Sequence, residues 1–150
     1  FLKPAILAYE ARDFSKALDF FQQAENRHAG YPRGLSAAAL TQSVLDWHGG
    51  KQTQAIKEAI QALFAQESFP ATYNLAIMCW QLQEMKNKGQ IALNLTDAEK
   101  EVYAQWPKAL EQLAHKENLS KPYKAAQKNV QLILAGDDKA QVFFLPVDWM

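Results

Sequence analysis

The sequence predicts an all-α chain of about seven helices, and three observations carry that prediction. Helix-favouring Ala, Leu, Gln, Glu and Lys dominate its 150 residues. Gly and Pro, six of each, fall mostly between apolar-periodic segments, where they act as punctuation. Alternation of the kind strands show is scarce until the last dozen residues. The length suits a single domain, spanning 1–150.

The first helix is expected from near Leu2, with Pro4 in its first turn, where a missing N–H costs nothing, to about Ala11. Asp13 opens a second helix that reaches about Ala29, with Gly30 as its left-handed stop. Tyr31-Pro32-Arg33-Gly34 reads as a connector to a third helix, Leu35 to His48, ended by Gly49-Gly50. The fourth spans about Lys51 to Gln66 and stops before Ser68-Phe69-Pro70. The fifth runs from Pro70 or Ala71 to about Lys86.

A longer connector, Asn87 to Leu95, contains Gly89. Thr96-Asp97-Ala98-Glu99 has the form of a capping box, in which hydroxyl and carboxylate each satisfy a free backbone N–H. The sixth helix runs toward Glu117, with Pro107 either kinking it or starting a new segment. Ser120, followed by Pro122, caps a seventh helix that ends near Ala135-Gly136. The tail spans residues 137–150; its Val142 to Met150 part is apolar and extended in character, and Pro146 would confine any strand there to an edge.

Two helical stretches resemble each other. Phe14-Ser15-Lys16-Ala17-Leu18-Asp19-Phe20-Phe21-Gln22-Gln23-Ala24 lies over Gln52-Thr53-Gln54-Ala55-Ile56-Lys57-Glu58-Ala59-Ile60-Gln61-Ala62, with alanine kept at Ala17 and Ala55 and again at Ala24 and Ala62. Ala17 and Ala55 are 38 residues apart. That is close to the ~34-residue period of tetratricopeptide repeats.

Tyr9-Glu10-Ala11-Arg12-Asp13-Phe14, continued through Ala24, resembles the turn and second helix of a tetratricopeptide repeat. Ala71-Thr72-Tyr73-Asn74-Leu75-Ala76 resembles the start of a further unit. The likeness covers about residues 1–86; residues 87–136 would be additional helices, because Lys88 to Leu95 departs from the pattern. It implies stacked antiparallel helix pairs in a right-handed helical repeat.

In that family the first helix of each pair lines a concave groove. By position the resemblance assigns Leu2, Ile6 and Tyr9, then Leu40, Val44 and Trp47, then Tyr73, Ile77 and Trp80. The set is apolar and aromatic. Relatives that grip a terminal carboxylate use Lys, Arg and Asn in comparable places, and here only Asn74 lies near, which argues against such a clamp. The groove would take an apolar segment of another protein. Two other readings stand beside this one: the same residues are core covered by later helices, or Val142 to Met150 fills the groove as a latch.

The implied function is a protein–protein interaction module: an adaptor, a scaffold or a chaperone-like assembly subunit. The alternative is a structural or homo-oligomerisation domain, or a helical accessory domain of a larger protein. Lys plus Arg equals Asp plus Glu at 16 each, and the lack of basic excess argues against nucleic acid as the main ligand.

No transmembrane stretch is expected, since no run approaches the ~20 apolar residues that span a bilayer. Phe1-Leu2-Lys3-Pro4 lacks the basic start and long apolar run of a signal peptide. With a single cysteine, Cys79, a cytoplasmic setting is expected and a periplasmic one left open.

No catalytic constellation, metal site or cofactor is expected. His28, His48 and His115 lack metal-ligand spacing, and His28 and His48 lie beside helix ends. Cys79 lies on an apolar helix face as a core residue. Asp97 with Glu99 suits a helix start, and Asp137 with Asp138 a turn. Gly49-Gly50 lacks the lysine of a phosphate loop. Lys121, Lys124 and Lys128 read as a solvated helix face. Asn94-Leu95-Thr96 and Asn118-Leu119-Ser120 match glycosylation acceptors, with Thr96 and Ser120 read instead as helix caps.

Overall fold

Each apolar-periodic stretch forms helix in the computed structural model, which describes residues 3–27, 32–87 and 93–146. The helices are α1 (Lys3–Glu10), α2 (Phe14–Arg27), α3 (Pro32–His48), α4 (Gln52–Ala65), α5 (Phe69–Asn87), α6 (Asp97–Tyr103), α7 (Trp106–Ala114) and α8 (Lys121–Leu134). No strand occurs among the described residues, so the protein is all-α. None of its described helices is long and apolar enough to cross a membrane. Helices that follow one another pack together: α1 on α2, α2 on α3, α3 on α4, α4 on α5, then α5 on α7 and α7 on α8.

Local chemistry accounts for the boundaries. The Lys16 backbone N–H donates to the Asp13 carboxylate at 3.2 Å, which starts α2. Gly50, at φ 80°, ends α3 in the left-handed conformation, while the Lys51 N–H reaches back to the Asp46 carbonyl at 2.8 Å. Arg12 takes the same conformation between α1 and α2, at φ 64° and without glycine's freedom.

The capping box forms as read. The Glu99 N–H donates to Thr96 Oγ1 at 3.2 Å, and the Thr96 N–H donates to Glu99 Oε1 at 2.8 Å. That carboxylate also accepts from Lys57 Nζ of α4 at 2.9 Å, which ties α6 to α4. The Thr96 N–H, then Lys57, hold the Glu99 carboxyl below its ordinary range.

Two expectations are corrected, at the start of α3 and at Ser120, and at Pro107 one of the two alternatives forms. The helix α3 starts at Pro32 rather than Leu35, because proline is tolerated in a first turn, and Gly34 is buried inside it. The sixth expected helix divides into α6 and α7, with Pro107 in the first turn of the second. Ser120 precedes α8, but its side chain makes no capping bond. The expected stop at Gly30 and the connector around Gly89 lie outside the described residues.

Small side chains let the helices approach. Ala17, Ala55, Ala59 and Ala62 are fully buried. At Ala62, α3 comes close enough for Ser36 Oγ to donate to the Ala62 carbonyl at 2.8 Å. Residues 69–79 of α5 are buried on nearly all sides, and the helix serves two core clusters. Leu75, Met78, Cys79 and Leu82 join the first, with α1 to α4; Phe69, Tyr73, Ala76 and Ile77 join the second, with α7 and α8. Burying one such large side chain stabilises by about 1.5–3 kcal/mol, so α5 anchors both halves.

One ionisable group sits at the α3–α4 contact. Glu58 Oε1 accepts from Gln54 at 3.1 Å, while Oε2 is buried without a hydrogen-bond partner. Burial first, then the neighbouring Asp46 carboxyl, raise Glu58 from the ordinary 4.5 to about 7; Gln54 and Lys51 oppose this. The folded state therefore binds more protons than the unfolded chain between these values. The stability Glu58 contributes is fully present below 4.5 and is lost as pH rises through about 7. Denaturant titrations from pH 5 to 8 should show the native state weakening across this window. Glu58→Gln should flatten that dependence, and an unchanged slope in the variant would dismiss Glu58 as its source.

Candidate functional site

The residues assigned to a groove by position are placed in two ways. Tyr9, Leu40, Val44, Tyr73 and Ile77 are buried, while Trp47 and Trp80 are half-buried. Ile6 lies in α1, with its side chain outside the described residues, as is all of Leu2. An open apolar surface at these positions is therefore corrected. Leu40 and Val44 belong to the first core cluster and Ile77 to the second. Others of the set are covered by residues 141–146, a segment without helix or strand that leaves α8 and crosses α5, α3 and α1.

Two asparagines hold this segment by its backbone. Asn74 of α5 is fully buried; its Oδ1 accepts from the Leu145 N–H at 2.8 Å, and its Nδ2 donates to the Leu145 carbonyl at 2.8 Å. Tyr9 of α1 donates its hydroxyl to the same carbonyl at 3.2 Å. Asn129 of α8, 4% exposed, treats Gln141 identically: Oδ1 accepts from the Gln141 N–H and Nδ2 donates to its carbonyl, both at 2.8 Å. Asn129 Nδ2 also donates to the Tyr73 hydroxyl at 3.1 Å. Each amide thus offers one donor and one acceptor to one residue's peptide groups, as a neighbouring strand would.

Aromatic rings flank these anchors on both sides. Phe143 lies 5.6 Å from the Tyr73 ring, which also stacks with Phe69 at 6.2 Å. Phe144 meets Trp47 edge-on at 5.9 Å and His48 at 6.2 Å. His48 in turn stacks on Phe14 at 5.4 Å, and Phe14 meets Tyr9 edge-on at 5.1 Å. Adjacent phenylalanines thus reach different helices, as the alternation of an extended chain requires. Such ring pairs add about 0.5–1.5 kcal/mol each beyond the area they bury. Beyond Phe144 a cleft of about 200 Å³ opens between Tyr9, Arg12, Phe14, His48 and Pro146.

Burial raises the Tyr9 and Tyr73 hydroxyls above the ordinary tyrosine value, with the Asn74 and Asn129 bonds opposing. Both therefore act as neutral hydrogen-bonding groups. Burial likewise pushes the Cys79 thiol up, away from the thiolate that reactivity needs. Among the described residues no group of three or more His, Cys, Asp or Glu could hold a metal ion. His115 faces Glu111 at 3.6 Å on an exposed surface, and Lys121, Lys124 and Lys128 are exposed on α8. Asp137 accepts from the Lys139 N–H at 2.8 Å and closes the turn after α8.

Of the residues assigned by position, Tyr9, Trp47 and Tyr73 do touch the segment. Asn74 enters that assignment only in relation to a carboxylate clamp, and Asn129, Phe14 and His48 are not among the residues assigned. A signal for both asparagines was present: each interrupts an apolar helix face, Asn74 beside Leu75 and Ile77, Asn129 beside Ala126 and Val130. Asparagine is a poor helix former, and a buried one needs partners for its amide.

No protein-family model matches this chain, and neither a curated protein nor a solved structure is significantly similar to it.

Asn74→Ala would strand the Leu145 N–H and weaken the hold on its carbonyl. We expect a loss of about 2–3 kcal/mol of unfolding free energy, since a buried unsatisfied group costs ~1–3 kcal/mol. A substitution at an exposed position, Lys124→Ala, should change it by less than about 0.5 kcal/mol in the same titration. Equal effects from the two would show that the Asn74 bonds contribute nothing.

Proposed function

We propose that this chain is a protein–protein interaction module that accepts an extended, apolar segment of another protein. The segment lies in the groove across α1, α3, α5 and α8. One observation carries the reading: two buried asparagines present paired donors and acceptors to a polypeptide backbone at positions four residues apart. Helices satisfy their own peptide groups, so amides placed this way suit an extended chain rather than another helix. The aromatic walls supply non-directional burial around that polar line. An adaptor, scaffold or assembly role follows from such a groove, and binding alone is the activity proposed.

Trp47 is the side chain to perturb, being half-buried and in ring contact with the segment rather than deep in the core. The full chain, a Trp47→Ala variant and a Lys121→Glu/Lys124→Glu/Lys128→Glu variant should be immobilised and used to capture proteins from native lysate. Circular dichroism would first establish equal helicity. We expect the captured protein to be lost by Trp47→Ala and kept by the lysine variant. The opposite pattern would move binding to the basic face of α8 and end the groove reading.

A further inference from the structure

We infer that residues 141–146 occupy the groove as a stand-in for its ligand. The ligand itself is a partner segment with two adjacent aromatic residues followed by a leucine-like residue and proline. The inference rests on the proposed role of the groove and adds which chemistry it selects and how access to it is governed.

The backbone is read first. In an extended chain the N–H and C=O of alternate residues point to the same edge, so Gln141 and Leu145 present theirs together, roughly 13 Å apart. Asn129 and Asn74 read that one edge at both ends. Any sequence in this conformation satisfies them, provided that neither of the two gripped residues is proline. With the groove vacated, both amides would be left without these partners, at ~1–3 kcal/mol for each group that stayed dry. The groove therefore favours being filled by some extended backbone.

Side chains then set the preference. Leu145 is buried in the second core cluster, and Phe143 and Phe144 are each half-buried among rings. Pro146 has no N–H to satisfy and borders the cleft near Tyr9. Gln141 and Val142 are exposed and leave their positions unselective. The pattern selected is any–any–aromatic–aromatic–aliphatic–proline. Residues 141–146 have no regular structure of their own, and every bond described above joins them to a groove that a competing segment could satisfy equally.

The test uses the full chain, a full-length Phe143→Ala/Phe144→Ala variant and a fluorescent peptide of the sequence of residues 139–146. Polarisation should show the variant binding the peptide at least about tenfold more tightly than the parent. Adding Asn74→Ala to the variant, or replacing the peptide's two phenylalanines with alanine, should weaken it again by a similar factor. Equal binding by parent and variant would overturn the stand-in role while leaving the groove as a binding site. No binding by a folded variant would overturn the ligand assignment, and the Trp47→Ala capture would then decide the groove's role separately.

If the variant fails to fold, hydrogen exchange on the parent decides. The Gln141 and Leu145 amides should exchange at least about a hundredfold faster than those of Ile56 and Ile60 in α4. Exchange only through global unfolding would overturn the inference. So would a mass that rises with concentration in the parent but not in the variant, since the occupant would then be a second copy.

Discussion

A peptide group taken out of water has to find a partner, and much of this molecule is arranged around how one non-helical segment meets that requirement. Eight described helices pair their own backbones internally. Residues 141–146 cannot, so the helices around them supply the pairing from side chains. Asparagine is the economical choice, because its amide carries the same donor and acceptor as the peptide it faces. Tyr9 then adds its hydroxyl to the Leu145 carbonyl, joining α1 to a contact already made by α5.

That contact lies at a seam. The helix α5 sends one set of side chains toward α1–α4 and another toward α7 and α8, which gives two core clusters instead of one. Phe144 and Trp106 pack against both. The segment is therefore shared by the two halves of the fold, and its state bears on how firmly they hold together. The same division explains why residues 69–79 of α5 display no polar face: that stretch is buried on nearly every side, and exposed Glu84 and Lys86 come only further along.

Much of the helical framework was legible in residue order, because its signals are local. The capping box at Thr96–Glu99 and the stop at Gly49-Gly50 each depend on residues within a few positions. Pro107 announced a break without saying whether the helix would kink or restart. The candidate site was legible only in part. A tail filling the groove was one of three readings, and nothing in the spacing from Asn74 to Leu145 marks them as partners across 71 residues. Buried asparagine on an apolar face signals that some partner exists; which one depends on tertiary packing.

The connection between α8 and the groove carries a further consequence. Gly136, at φ 68°, ends the helix, the Asp137 N–H reaches back to the Leu132 carbonyl at 3.0 Å, and the Ala140 N–H closes on Asp137 at 3.2 Å. Only four residues then separate Gly136 from Gln141, where the first asparagine takes hold. A segment on so short a tether meets its groove at an effective concentration on the order of millimolar. In the binding role proposed above, an outside segment would have to overcome that occupancy, which would filter out weak encounters and lower the apparent affinity of strong ones. That threshold would be set by the length of a turn, and it could drift without any change to the residues that line the groove.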